Sequence, residues 1–323
     1  MMQLLARLPL RVVHALGSIL GWAIYGMSPT YRRHLRENLA LAGYRDPRLR
    51  RAAIAEAGKM LLEAPRVWLR PRAESLALLR EIDGLAHYEA ARAAGKAIVL
   101  LTPHIGCFEI CAQAFAERYP ITVLFRPSKH SWLQPIMDRG RAQPGVSLAS
   151  ADLAGVRLLL AALKRREAVG ILPDQVPGVG EGEWAEFFGR PAYTMTLAAK
   201  LARRPDVVCL LVAGERLPRG AGYVMRVRPM PPALPGESGA RHMNRAIESA
   251  VRMAPEQFTE ARVLLVRIHG DHAQLAAQAR EARIQPDEMR GEQDRRGAPQ
   301  RVQLVQALDA QDRKSTRLNS SHV

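Results

Sequence analysis

The chain has 323 residues, nearly half of them apolar, which excludes disorder over its whole length and fits one large domain or two small ones. Its formal charge of +16 calls for an anionic partner: nucleic acid, anionic lipid or an acidic protein. Three cysteines, Cys107, Cys111 and Cys209, form no even-numbered framework, so free thiols in a reducing compartment are expected rather than a disulfide scaffold.

In chain order, the first informative segment is Val12 to Met27, VVHALGSILGWAIYGM, where His14 is the one side chain that titrates near neutrality. Sixteen helical residues rise about 24 Å, short of the roughly 30 Å hydrocarbon core, and extension back to Leu8 reaches that length if Arg11 snorkels. The helix could therefore span a membrane or lie in its surface, with a buried core helix as the alternative. Arg7 and Arg11 precede it and Arg32, Arg33 and Arg36 follow, a bias that puts the rest of the chain in the cytoplasm. No small-residue cleavage site follows Met27, so residues 1–28 are expected to stay as a membrane anchor.

From Thr30 to about Ala94 the pattern is helical, with apolar positions set among many arginines. Then Ala97 to Leu101, AIVLL, reads as a buried strand bounded by Gly95 and Pro103. A helix follows from Cys107 to about Arg118, a strand at Ile121 to Phe125, helices at Ser131 to Gln143 and Asp152 to Arg166, and a strand at Ala168 to Leu172. Further on come a helix at Thr194 to Arg203, strands at Val207 to Val212 and Tyr223 to Val227, and a last helix at Arg241 to Met253. This alternation predicts an α/β fold with a mixed, mostly parallel sheet flanked by helices, in one domain over residues 29–258.

After Phe258 strand signals vanish, and RKSTRLNSSHV at the end resembles a translated sequencing-adapter tail. Residues 259–323 are expected to be an atypical, disordered or non-native tail. With 11 basic and 9 acidic residues it contributes little net charge, so the positive excess belongs to the folded part.

The chemistry gathers at strand ends. T-P-H-I-G-C-F-E after the first strand puts His104 in a strand-to-helix turn and Glu109 in the first turn of the helix, where ligands of open α/β sheets collect. A turn between them can fold the carboxylate back onto the imidazole, a pair suited to base catalysis without a serine or cysteine nucleophile. The alternatives are a satisfied surface histidine, or a metal site shared with Cys107 and Cys111 that lacks a fourth ligand of convincing spacing. Arg126, in F-R-P after the second strand, can pair with phosphate through its guanidinium fork. Asp174 and Gln175, in P-D-Q after the Ala168 strand, can fix a sugar hydroxyl or order the neighbouring loop. Gly178 to Gly182 lacks the G-K-[ST] ending of a phosphate-binding P-loop and reads as a mobile loop. Trp184 to Arg190 is apolar enough for a membrane edge, an acyl chamber or plain core packing.

These residues carry a family resemblance. The apolar N-terminal helix, R-E-N-L at Arg36 to Leu39, H-x-x-x-x-E at His104 and Glu109, F-R-P at Arg126, P-D-Q at Asp174, F-F-G at Phe187 to Gly189 and M-A-P-E-Q at Met253 to Gln257 occur in one order. Over about the first 258 residues the chain resembles the lauroyl and myristoyl transferases of lipid A biosynthesis, within the lysophospholipid-acyltransferase-like superfamily. The resemblance implies an inner-membrane enzyme without cofactor or metal that moves an acyl group from acyl carrier protein to a Kdo-bearing lipid A precursor, a phosphoglycolipid. It further implies that His104 is the base, Glu109 its partner and Arg126 a contact for anionic substrate or the developing oxyanion.

The departure from that pattern comes after Gln257, where the family's aromatic and basic ending is replaced by F-T-E-A-R-V-L-L-V, as a frameshift near Phe258 would produce. Within the enzyme class, the alternative is a related transferase using acyl-CoA on another glycolipid or a glycerophospholipid. Outside it, the alternative is a non-catalytic basic protein that binds a membrane surface or nucleic acid. Only 5% aromatic residues and the apolar N-terminal segment argue against nucleic acid, leaving an anionic membrane as the expected surface.

Overall fold

A computed structural model describes residues 2–128, 132–178 and 180–258. The chain opens with α1 (Met2–Arg7), α2 (Leu10–Met27), α3 (Pro29–Leu41), α4 (Pro47–Leu69) and the short α5 (Arg72–Leu76). It continues through β1 (Leu79–Asp83), α6 (Leu85–Ala93), β2 (Ala97–Leu101), α7 (Glu109–Ala116), β3 (Ile121–Phe125), α8 (Gln134–Arg141), β4 (Val146–Ser150), α9 (Leu153–Lys164) and β5 (Ala168–Ile171). Then follow β6 (Gly182–Phe187), β7 (Arg190–Met195), α10 (Thr196–Ala202), β8 (Val207–Arg216), β9 (Tyr223–Pro229) and α11 (Gly239–Val251). The expected tail over 259–323 lies outside the described residues.

Seven strands form one sheet in the order β1-β9-β8-β2-β5-β3-β4, and every pair is parallel except β8 with β9. The fold is thus the expected mixed, mostly parallel sheet flanked by helices. Alternation along β2 explains its uninterrupted apolar run. Ala97, Val99 and Leu101 join one core with side chains of α9, α10 and α11, while Ile98 and Leu100 join another with α6 and α7.

Three features depart from the sequence expectation. β1 falls inside the stretch read as helical, and β4 was not foreseen; each lies at a sheet edge, pairs with one neighbour and is only partly buried. An edge strand needs no continuous apolar run, so LREID and VSLAS carry a weak strand signal. The third departure is the β6–β7 hairpin. Phe188 and Gly189 connect it with φ of 45° and 75°, and the pair Phe187–Arg190 closes a two-residue turn whose two positive φ values suit the twist of the strands. F-F-G is therefore a hairpin turn, and Phe187 packs into the core beside α11.

The N-terminal helices form an outer layer. α2 lies along α4 with backbones so close that a Cβ on Gly58 would stand 2.0 Å from Gly17 O, and one on Gly21 would stand 2.1 Å from Ile54 O. Such an approach admits only glycine. The buried face of α2 carries Leu10, Val13, His14, Gly17, Gly21 and Tyr25. Its opposite face leaves Val12, Leu16, Ile19, Trp22 and Met27 exposed, and among the described residues α2 alone is long and apolar enough to cross a membrane.

Candidate active site

β2, β5 and β3 are neighbours in the sheet and run parallel, so the segments leaving their carboxyl ends converge. The β2–β5 register pairs Leu101 with Ile171. His104 and Asp174 each follow three residues later, and the two loops put them face to face. Thr102 N–H still donates to Ile171 O at 2.9 Å, which carries the pairing past the end of β2.

Asp174 is fully buried and binds His104 twice. Its Oδ2 accepts the His104 backbone N–H at 2.8 Å, and its Oδ1 lies 3.0 Å from His104 Nδ1. Since a carboxylate only accepts, this second bond puts a proton on Nδ1, so that in the neutral imidazole Nε2, on the opposite ring edge, carries the lone pair. The Phe108 ring meets the imidazole edge-on, 4.5 Å between centroids.

Glu109 opens α7, and its carboxylate is held by Arg141 of α8: Arg141 Nε donates to Glu109 Oε2 at 3.1 Å, and Nη2 donates to Oε1. Burial works against the Arg141 charge, but the Glu109 carboxylate outweighs it and holds the guanidinium pKa above its ordinary value. The guanidinium also sits 5.7 Å over the Trp68 ring. His104 and Glu109 are therefore walls of one cavity, His104 hydrogen-bonded to Asp174 and Glu109 ion-paired with Arg141.

That cavity encloses about 1160 Å³, its open mouth included. Thr102, His104, Glu109, Arg126, Arg141 and Gln175 are among the residues of its polar wall. Phe108, Phe115, Val123, Phe125, Met137, Val146 and Leu148 are among the apolar residues that line the rest. Arg126 is exposed, and its Nη1 donates to Val176 O at 3.3 Å, which ties the end of β3 to the loop after β5. Gly170 on β5 leaves room for the cavity: a Cβ there would reach Val123 and Ile121 at 3.4 and 3.5 Å. Of the segment Trp184 to Arg190, no residue lines the cavity. Cys111 does, with its thiol pushed up to about 12 by burial, so it is a neutral wall group.

His104, Glu109, Arg126 and Gln175 thus share one cavity, and Asp174 stands behind His104. Sequence reasoning missed Arg141, whose link to Glu109 crosses 32 residues. It also missed a buried ionic node beneath the site, made of Glu56, Glu63 and Arg216. A signal for it was present: Glu56 and Glu63 are seven residues apart, two turns along one face of α4, and both are buried.

Residues 1–260 match the family model for bacterial lipid A biosynthesis acyltransferase. The chain is 27% identical over 265 residues to a lipid A biosynthesis lauroyltransferase of Escherichia coli K12, spanning 79% of this chain and 85% of the relative. It is 28% identical over 180 residues to a lipid A biosynthesis acyltransferase of Haemophilus influenzae, spanning 55% and 56%. With a lipid A biosynthesis palmitoleoyltransferase of Escherichia coli K12 it shares 24% over 204 residues, spanning 62% and 66%. A match over nearly the whole described chain, joined to a cavity at three strand ends, makes this protein an acyltransferase that belongs to the bacterial lipid A biosynthesis acyltransferase family.

Proposed function

We propose that the protein transfers a fatty acyl chain from an acyl-carrier-protein thioester to a hydroxyl of a Kdo-bearing lipid A precursor. The observation that carries this reading is the buried Asp174–His104 pair on the wall of a largely apolar cavity. His104 Nε2 takes the proton of the acceptor hydroxyl as its oxygen attacks the thioester carbonyl carbon. Asp174 holds the tautomer and steadies the imidazolium. When the tetrahedral adduct collapses, the C–S bond breaks, and the thiolate leaves with the proton that His104 returns. No serine or cysteine acyl-enzyme is needed. Glu109, lining the same cavity, adds negative charge that favours the imidazolium and keeps Arg141 in place. Arg126, at the mouth, suits a phosphate of the acceptor or the developing oxyanion, and Gln175 a sugar hydroxyl.

The same reading seats the protein on the inner membrane with its catalytic domain in the cytoplasm. α2 suits an in-plane position at the bilayer surface. Its exposed residues, Val12, Ala15, Leu16, Ile19, Trp22, Ala23, Gly26 and Met27, make one apolar stripe at helical spacing. Arg7, Arg11, Arg33 and Arg36 are exposed at its two ends, where anionic headgroups would meet them. Spanning would carry Glu56, Lys59 and Glu63 of the packed α4 to bilayer depth, where a charge costs roughly 2.5–3.5 kcal/mol on the insertion scale.

The test is acyl transfer by the purified protein, offered carrier-bound and CoA-bound acyl chains of several lengths with a Kdo-bearing lipid A precursor or a lysophospholipid. Transfer from the carrier to the lipid A precursor is expected. Transfer to the lysophospholipid alone, or from CoA alone, would overturn the acceptor or the donor.

A further inference from the structure

The turn that carries His104 is held from below by a buried ionic node that reaches the N-terminal helix. Gly106, two residues after His104, has φ of 61°, and a Cβ there would stand 2.0 Å from Gly214 O. Both of its backbone polar groups are engaged: Gly106 N–H donates to Gln257 O at 3.1 Å, and Gly106 O accepts from Arg216 Nη2 at 2.8 Å. The Gln257 side chain in turn pairs with the Arg216 backbone, accepting its N–H at 2.7 Å and donating to its carbonyl at 3.1 Å.

The Arg216 guanidinium is itself buried, and each of its three nitrogens donates a hydrogen bond. Its Nε and Nη2 donate to Glu63 Oε1 at 2.9 and 2.6 Å, and its Nη1 donates to Glu56 Oε2 at 3.1 Å. The other Glu63 oxygen, Oε2, accepts from Tyr223 OH at 3.1 Å and lies 3.1 Å from His14 Nε2. Burial pushes the Glu63 carboxyl up, yet the Arg216 charge and the His14 and Arg216 bonds outweigh it and hold it at about 2. Buried ions of this kind are poor stabilisers compared with well-packed apolar side chains, so what sets this node apart is the geometry it imposes. His14 stands on α2, the helix whose outer face is apolar and exposed; Arg216 stands on β8; neither lines the cavity.

We propose that His14 and Arg216 are positioning residues through which the docking of α2 on α4 sets the pose of the catalytic turn. The path is short and made of direct contacts: His14 to Glu63, Glu63 to Arg216, and Arg216 to Gly106 O, two residues from His104. Displacing α2 removes one donor from Glu63, frees its carboxylate to shift, and loosens the guanidinium that holds the turn. The enzyme is then fully active only when its membrane-facing helix is seated.

The inference rests on His104 being the base, and it is tested on the full chain with His14→Leu and His14→Gln in detergent-dispersed substrate. Leucine removes the donor to Glu63, and glutamine restores a side-chain N–H. His14→Leu should lower kcat about 5- to 100-fold with KM for donor and acceptor unchanged, as small misplacements of a reacting group do. His14→Gln should recover most of it. Amide hydrogen exchange gives a readout free of turnover: Gly106 and Cys107 should exchange faster in His14→Leu while β2 and β5 keep their protection. Wild-type kcat in His14→Leu, equal losses in both variants, or unchanged exchange at Gly106 would overturn the coupling. A wild-type protein that transfers no acyl group would instead count against the proposed function, with the exchange comparison still deciding the coupling.

Discussion

Asp174 grips His104 at two points, 2.8 Å from its backbone nitrogen and 3.0 Å from Nδ1, with no solvent access of its own. The backbone contact fixes where the turn sits, and the ring contact fixes which nitrogen faces the cavity. Asp174→Asn keeps the shape but can present an N–H where the carboxylate accepted, which favours the wrong tautomer. We expect kcat to fall ~100- to 10,000-fold with little change in KM. Steady-state kinetics of Asp174→Asn beside Glu109→Gln would check it. A milder effect in Glu109→Gln fits Glu109 as a second carboxylate, whereas near-wild-type turnover in Asp174→Asn would remove Asp174 from the machinery.

The glycine contact between α2 and α4 makes a stability prediction. A methyl group on Gly58 would meet Gly17 O at 2.0 Å and Gly21 N at 2.4 Å, both backbone atoms that cannot swing away. Gly58→Ala should therefore push the helices apart and cost about 1–3 kcal/mol. Gly26, with nothing within 4 Å of its Cβ position, provides the control. Thermal melts should show a drop of several degrees for Gly58→Ala and none for Gly26→Ala. Equal melting temperatures would mean that α2 is not docked as described.

Much of this site was legible because each motif follows a strand that is apolar on both faces. β2, β3 and β5 lie inside the sheet and announce themselves as short apolar runs, so His104, Arg126 and Asp174 could be assigned to strand ends. Which carboxylate meets His104 was not legible. That depends on the β2–β5 register, a relation between segments about 70 residues apart, and no local pattern encodes it. Likewise Arg141 reaches Glu109 only because α8 packs along the same cavity, a tertiary relation no local pattern encodes. β1 and β4 escaped notice because edge strands are only half covered, and the hairpin because its turn residues, Phe188 and Gly189, follow a glycine-rich segment that reads as loop.

Glu63 gives a pH dependence whose sign can be worked out. Its folded value is about 2 against an ordinary 4.5, so between the two the unfolded chain holds a proton that the folded chain does not. Its contribution to stability is thus fully present above pH 4.5 and is lost as pH falls toward 2. Glu63→Gln leaves Arg216 short of a countercharge and should be destabilised at neutral pH by about 3–5 kcal/mol, as broken buried pairs are. More diagnostic is the slope: melting temperature should fall less steeply from pH 4.5 downward in the variant than in the wild type. Parallel curves would show that the Glu63 carboxylate is not held down in the folded protein.

The outer face of the N-terminal helices sets how the protein is expected to sit on a bilayer. Of the ten large apolar side chains that stand exposed among the described residues, six belong to the first 27 residues: Leu4, Val12, Leu16, Ile19, Trp22 and Met27. Concentration of this kind marks an interaction surface rather than ordinary surface scatter. Trp22 and Tyr25 stack edge-on at 5.9 Å, and Arg36 Nε donates to Tyr25 OH at 2.9 Å, an aromatic and basic end suited to the headgroup layer. Apolar burial and arginine attraction then contribute separately, and only the second is screened by salt. Full-length protein should float with anionic vesicles and stay bound in high salt, with Trp22 fluorescence shifted to the blue. Ile19→Asp should weaken binding at high salt while leaving low-salt binding to anionic vesicles in place, because it introduces a charge in the middle of the stripe but leaves the arginines. A helix seated in-plane also predicts that a cysteine placed at Leu16 is reached by lipid-soluble quenchers at shallow depth. Quenching at the bilayer midplane instead would mean that α2 leaves α4 and crosses the membrane.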